Sequence, residues 1–326
     1  MTETAREMVI QTDRLTKQYS GGRGCHDITL SVRSGEAFGF LGPNGAGKST
    51  FVKSLVGLIF PTSGSGTLFG APIGSVEARR QIGYLPELYR YQEWLTGEEV
   101  LWLHARLCKM DQTHARKRID SLLMDVGIGK RGRDRVKQYS KGMQQRLGLA
   151  CALLSDPKLL FLDEPASALD PIGRYEVRNM LRQLHRAGKT IFLNSHLLED
   201  VEMLCDRVAL LNNGRILTQG HVRDVLQEKS RWTLRVGGLL ADDLNELMVT
   251  TALPISCPNP NPDAAGAVWI EVEVAEDEQL GWLNTLIVER GLTLYEVQRM
   301  KNRLDEWFMQ TISGQSGDLD QRGERE

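Results

Sequence analysis

The residues Gly42-Pro43-Asn44-Gly45-Ala46-Gly47-Lys48-Ser49-Thr50 fit the pattern G-x-x-x-x-G-K-[ST]. Glycines let a backbone curl until its N–H groups point at one anion, the lysine neutralises phosphate charge, and the hydroxyl that follows suits Mg²⁺. This is the chemistry of holding a nucleoside polyphosphate. Gly42, Asn44, Gly45, Ala46, Gly47, Lys48, Ser49 and Thr50 are its candidate contacts. The flanks support it, because Ala37 to Leu41 reads as a short apolar strand and Phe51 to Leu58 as a helix. A second constellation is Leu159-Leu160-Phe161-Leu162-Asp163-Glu164. An apolar run without alternation belongs in the middle of a parallel sheet, and its carboxyl end is where such sheets bind ligands. Asp163 is therefore expected to hold Mg²⁺ through water, and Glu164 to orient or deprotonate an attacking water.

Upstream of the two carboxylates, Tyr139-Ser140-Lys141-Gly142-Met143-Gln144-Gln145-Arg146 resembles the signature motif of the nucleotide-binding subunits of ABC transporters. Ser167-Ala168-Leu169-Asp170 matches that family's D-loop, and Asn194-Ser195-His196 its switch histidine. The resemblance covers about residues 8 to 226, with all motifs in order. It implies ATP as ligand and a homodimer in which Ser140 and Gly142 of one protomer meet the γ-phosphate held by the other. A helix start, with its free N–H groups and partial positive charge, suits that task. The resemblance also implies that Tyr19 stacks on adenine, that Asp170 contacts the nucleotide region, and that His196 reaches the γ-phosphate.

Two departures stand out. Tyr139, Lys141 and Met143 replace the first, third and fifth residues of the commoner L-S-G-G-Q, while Ser140 and Gly142 are kept. Glu87 ends Ile82-Gly83-Tyr84-Leu85-Pro86-Glu87, where the family's Q-loop usually has Gln. A carboxylate can still accept a hydrogen bond from Mg²⁺-bound water, so Glu87 is counted with Ser49 and Asp163 as a metal residue. Both departures are typical of bacterial exporters whose ATPase is a separate chain. The resemblance then implies an integral membrane permease as partner.

To position these groups the chain needs short strands at Ile28 to Val32, Ala37 to Leu41, Leu159 to Leu162, Thr190 to Leu193 and Val208 to Leu211, with helices between several of them. That order predicts an α/β P-loop domain with a mixed sheet. Asn213-Gly214 has the chemistry of a tight hairpin. A helical insert, about 88 to 140, holds a helix capped by Thr96 and Glu99 and another from His114 to Val126. Met143, Leu147, Ala150, Cys151 and Leu154 mark one apolar face of the signature helix.

Residues 227 to 313 read as a small α+β domain. Its strands fall at Trp232 to Val236, Val268 to Val274 and Leu292 to Val297, and its helices around Asp242 to Met248, Asp277 to Val288 and Leu304 to Ile312. A turn is expected at Pro258 to Pro262, and residues 314 to 326 as a flexible tail.

The 326 residues are 41% hydrophobic and 25% charged, which excludes disordered and fibrous classes. The net charge of −2 conceals +7 over residues 1 to 226 and −9 beyond. The basic run Lys130 to Lys137 lacks interleaved aromatics and reads as a solvated loop, so no nucleic-acid partner is expected. Five scattered cysteines without a C-x-x-C pair read as small buried residues in a reducing compartment. With no signal-peptide pattern and no apolar run of membrane length, the expectation is a cytoplasmic protein, peripheral on the cytoplasmic face of the inner membrane. The rival reading is a soluble ABC ATPase acting on nucleic acid or ribosomes. The short spacing from Lys48 to Ser140 and the single set of motifs count against it. Every phosphate-contacting motif precedes residue 227, so a chain ending near Gln227 should bind ATP as the full chain does, which calorimetric titration checks.

Overall fold

The computed structural model describes residues 7–88, 90–226 and 230–300. It divides into two compact units, Met1–Val222 and Arg223–Glu326. The division falls four residues before the boundary expected after residue 226. The expected last helix, Leu304 to Ile312, and the tail lie outside the described residues.

In chain order the first unit comprises β1 (Met8–Gln18), β2 (Gly24–Arg33), β3 (Ala37–Leu41), α1 (Lys48–Leu55), β4 (Ser63–Leu68), β5 (Ala71–Pro72), α2 (Val76–Arg79) and β6 (Ile82–Leu85). Then come α3 (Gly97–Leu107), α4 (Gln112–Asp125), α5 (Lys141–Leu153), β7 (Leu159–Asp163), α6 (Pro171–Arg186), β8 (Thr190–Asn194), α7 (Leu198–Leu204), β9 (Arg207–Asn212), β10 (Arg215–His221) and α8 (Val222–Leu226), which runs across the division.

One sheet, in the order β2-β1-β4-β5, is wholly antiparallel. The other runs β10-β9-β3-β8-β7-β6, with only β10 antiparallel to its neighbour. Strands β3, β7 and β8 are buried at every position, as their unbroken apolar composition requires of strands covered on both faces. Their rings meet at Phe192, whose centroid lies 5.7 Å from Phe38, 5.5 Å from Phe40, 6.3 Å from Phe51 and 5.4 Å from Phe161. One aromatic cluster thus ties together β3, α1, β7 and β8, the elements next to every candidate chemical loop.

The hairpin is as the sequence demands: Asn213 (φ 46°) and Gly214 (φ 79°) both take positive φ, and β9 pairs with β10 antiparallel. Thr96 and Glu99 make both halves of a capping box: Glu99 N–H donates to Thr96 Oγ1 at 3.1 Å and Thr96 N–H to Glu99 Oε2 at 2.7 Å. Helix α5 corrects its expectation, because Leu149, Ala152 and Leu153 are buried as well as Leu147 and Ala150. It packs against β6, α3 and α4, so burial is not confined to one stripe. All five cysteines are free; Cys25 and Cys205 are buried as expected, but Cys108 stands exposed just past the end of α3.

The second unit is β11 (Ser230–Gly237), α9 (Ala241–Thr251), β12 (Ile255–Asn259), β13 (Ala267–Val274), α10 (Asp277–Glu289) and β14 (Thr293–Arg299). Its sheet runs β12-β13-β11-β14, all antiparallel, a βαββαβ arrangement. Val268, Ile270, Val272 and Val274 alternate with half-buried Trp269, Glu271 and Glu273, which gives the sheet one apolar face. The turn expected at Pro258 begins later, since Pro258 belongs to β12. That strand lies at the sheet edge, where a missing N–H is tolerated.

Phe192→Ala should destabilise the first unit by about 3–5 kcal/mol by opening a void at the centre of the aromatic cluster. Urea unfolding followed by intrinsic fluorescence measures it.

Candidate functional site

The phosphate loop leaves β3 at Gly42 and enters α1 at Lys48. A Cβ on Gly42 would stand 2.2 Å from Leu211 O, and one on Gly47 (φ 103°) 2.1 Å from Gly24 O, so neither position admits a side chain. Helix α1 begins without a side-chain cap or an acidic residue in its first turn, which leaves its N–H groups for an anion. Lys48 is buried, and its Nζ donates to Gly42 O at 2.8 Å and Pro43 O at 3.2 Å. Burial lowers the ammonium pKa, while Glu164, Asp163 and Glu87 act against that shift.

Asp163 closes β7. Its carboxyl is pushed up to about 6, first by burial and then by Glu87 and Glu164, although hydrogen bonds from Asn194 and Ser49 pull it back. Glu164, the next residue, sits at φ 54°, a left-handed backbone that costs a non-glycine residue about 1 kcal/mol or more. Several bonds hold it there. Its N–H donates to Asn194 O at 2.9 Å, and its carbonyl accepts from Gln145 Nε2 at 2.7 Å and Ser167 Oγ at 3.1 Å. The side chain turns back to His196, whose backbone N–H donates to Oε1 at 2.8 Å. The ring Nδ1 stands 2.8 Å from Oε2, close enough for an ion pair but without the alignment of a hydrogen bond.

These groups line one cleft of about 550 Å³. From the phosphate loop and its helix come Asn44, Gly45, Gly47, Lys48, Ser49 and Thr50. Glu87, Asp163, Glu164 and His196 form a further part of the wall, and Tyr19, 43% exposed, stands in it too. Gly42 and Ala46 do not line the cleft; they support the loop from behind, with Gly214 N–H donating to Ala46 O at 2.9 Å.

Ser140, Gly142 and Asp170 do not line it either. Ser140 Oγ caps its own helix, accepting from Met143 N–H at 3.2 Å, and Asp170 caps α6, accepting from Gly173 N–H at 2.7 Å. Tyr139 is buried and its hydroxyl donates to Arg131 O at 2.8 Å, a local reason for an aromatic at that position.

Arg23, Gly24, Ser167 and Asn194 line the cleft as well, and the sequence motifs gave them no role. Gln145 is another: fully enclosed, it grips Glu164 O with one end and accepts from Ala168 N–H at 3.0 Å with the other. A divalent cation fits the chemistry present. Glu87, Asp163 and Glu164 share the cleft, and the buried Asn194 Oδ1 beside Asp163 has no hydrogen-bond partner. No three acidic, histidine or cysteine side chains among the described residues close on one point, so the cation would share its coordination with a bound ligand.

Fold and cleft together define a P-loop nucleotide hydrolase. The ABC transporter family model matches residues 25–167. The chain is 33% identical to the bacitracin transport ATP-binding protein BcrA of Bacillus licheniformis, over 94% of this chain and 98% of that one. It is 40% identical to the Nod factor export ATP-binding protein I of Rhizobium sp. (strain N33), over 68% and 74% of the two chains. A cassette dimer solved in a post-hydrolysis state with ADP and Pi matches with TM-score 0.61 at 25% identity, covering 66% of this chain and 99% of that one. The chain belongs to the ATP-binding subunits of ABC transporters. It binds and hydrolyses ATP.

Gly47→Ala forces a side chain into Gly24 O at a φ that alanine avoids. ATP affinity should fall at least about tenfold, equivalent to 1.4 kcal/mol, with the circular-dichroism spectrum retained. Isothermal titration calorimetry measures the loss.

Proposed function

We infer that this chain dimerises around ATP and powers a separate integral membrane permease, working in export from the cytoplasmic face of the membrane. The observation that carries this is an incomplete cleft. Lys48, Asp163, Glu164 and His196 converge in it, while Ser140 and Gly142, at a helix start suited to an anion, stand outside the same cleft. A second copy that brings its Ser140 to the first copy's phosphates completes the enclosure.

Hydrolysis of a phosphoanhydride needs positioning and charge stabilisation more than covalent chemistry. Lys48 and the loop N–H groups hold the phosphates, and Tyr19 stacks on the base. Ser49, Asp163 and Glu87 would hold Mg²⁺, which would neutralise phosphate charge. Glu164 takes the proton of the attacking water; His196 anchors its carboxylate and faces the γ-phosphate. Asp170, at the start of α6, lies on the dimer side of the site.

Export is supported by the relative named for Nod factor export, and a separate permease by the bacitracin transport relative, which is named as an ATP-binding protein and matched over 98% of its length. The transported substrate would be chosen by that permease.

Glu164→Gln keeps shape but removes the base, so turnover should fall about 10²- to 10⁴-fold while ATP still binds. The variant should then be dimeric in Mg-ATP and monomeric in ADP. Adding Ser140→Arg should abolish the dimer. Size-exclusion chromatography with light scattering reads both; a nucleotide-independent oligomer would refute the sandwich.

A further inference from the structure

The loop from Tyr19 to Gly24 joins β1 to β2 and closes on itself. Tyr19 N–H donates to Arg23 O at 2.8 Å, and Gly22 N–H to Tyr19 O at 3.2 Å. That closure brings Arg23 and the Tyr19 ring to one end of the loop, and both line the nucleotide cleft. The next residue, Gly24, backs onto the phosphate loop, since its carbonyl is the group a Cβ on Gly47 would strike. Arg23 is therefore one residue from backbone packed against the last glycine of the phosphate loop. Along the chain it lies between Tyr19 and the glycine that backs onto the phosphate loop. Lys17, whose Nζ lies 5.5 Å over the Tyr19 ring, does not line the cleft.

Charge points the same way. Glu87, Asp163 and Glu164 make the cleft acidic before a polyphosphate arrives. Lys48 is committed to two carbonyls of its own loop. The Arg23 side chain, also in the wall, has no ion pair or hydrogen bond among the described residues. A guanidinium offers a planar fork that matches two phosphate oxygens, and an uncommitted one can engage without first breaking another bond.

We propose that Arg23 is a nucleotide-affinity residue of this chain, pairing through its guanidinium with the α-phosphate, which takes no part in the bond that breaks. The proposal rests on the cleft being the nucleotide site. The α-phosphate keeps all its bonds while the β–γ bond breaks, so a contact to it is about equally strong in the ground state and the transition state; it lowers KM and leaves kcat nearly unchanged.

The test uses the full chain as wild type, Arg23→Ala, Arg23→Lys and Lys48→Ala. ATP and ADP are titrated calorimetrically, and adenosine is competed against a fluorescent ADP analogue. Arg23→Ala should weaken ATP and ADP roughly tenfold, the loss of one charge-assisted hydrogen bond, and leave adenosine unchanged. Arg23→Lys should recover part of the loss. KM for ATP should rise by a similar factor with kcat within about twofold, and the difference from wild type should shrink as salt is raised.

An equal loss for adenosine and ADP would assign Arg23 to the base and overturn the proposal. So would a fall in kcat at constant KM, or unchanged ADP affinity in Arg23→Ala where Lys48→Ala loses it. A wild-type chain that binds neither ATP nor ADP would instead overturn the assignment of the cleft, and Arg23 with it.

Discussion

Everything in the first unit depends on three short parallel strands ending at the same level. In the hydrogen-bonded register Phe40 of β3 lies beside Asn194 of β8, and Asn194 beside Asp163 of β7. The phosphate loop, the two carboxylates and His196 all begin within two residues of that line. Phe192 fixes the level from below, since its ring touches β3, α1 and β7 at once. The apolar cluster thus acts as a ruler for polar groups that could not hold one another in place. Ionised carboxylates gathered at strand ends repel, and burial penalises each of them. Packing supplies the constraint that electrostatics opposes.

The same economy governs the groups outside the cleft. Ser140 and Asp170 spend their oxygens capping their own helices, which positions both without a ligand. Gln145 then links the signature helix to the strained backbone at Glu164. The strained backbone that carries the Glu164 side chain is therefore tied, through one buried amide, to helix α5.

Where an element is buried or locally coded, its residues announced it. The continuous apolar runs of β7 and β8, the Thr96/Glu99 capping box and the Asn213-Gly214 turn were all legible, as was the alternation of β13. What stayed hidden was made by pairing alone. Strand β4, Ser63-Gly64-Ser65-Gly66-Thr67-Leu68, buries only Leu68 and exists because β1 presents an edge to it. Helix α6, by contrast, buries only Gly173, Val177 and Leu181, but the Asp170 cap and Pro171 mark its start. The site shows the same division. Lys48, Asp163 and Glu164 follow from motif chemistry, whereas Arg23 lies outside every motif, and Gln145, though inside the signature, shows its contacts to Glu164 and Ala168 only in the fold.

The phosphate loop is encoded early but braced late. Its last alanine is held by the N–H of Gly214, whose carbonyl in turn accepts from His26 N–H at 2.7 Å, and its first glycine rests on Leu211 O. A chain emerging from the ribosome has made Lys48 long before it has made that brace. The full brace of the loop is therefore in place only once the hairpin of β9 and β10 has folded back against it.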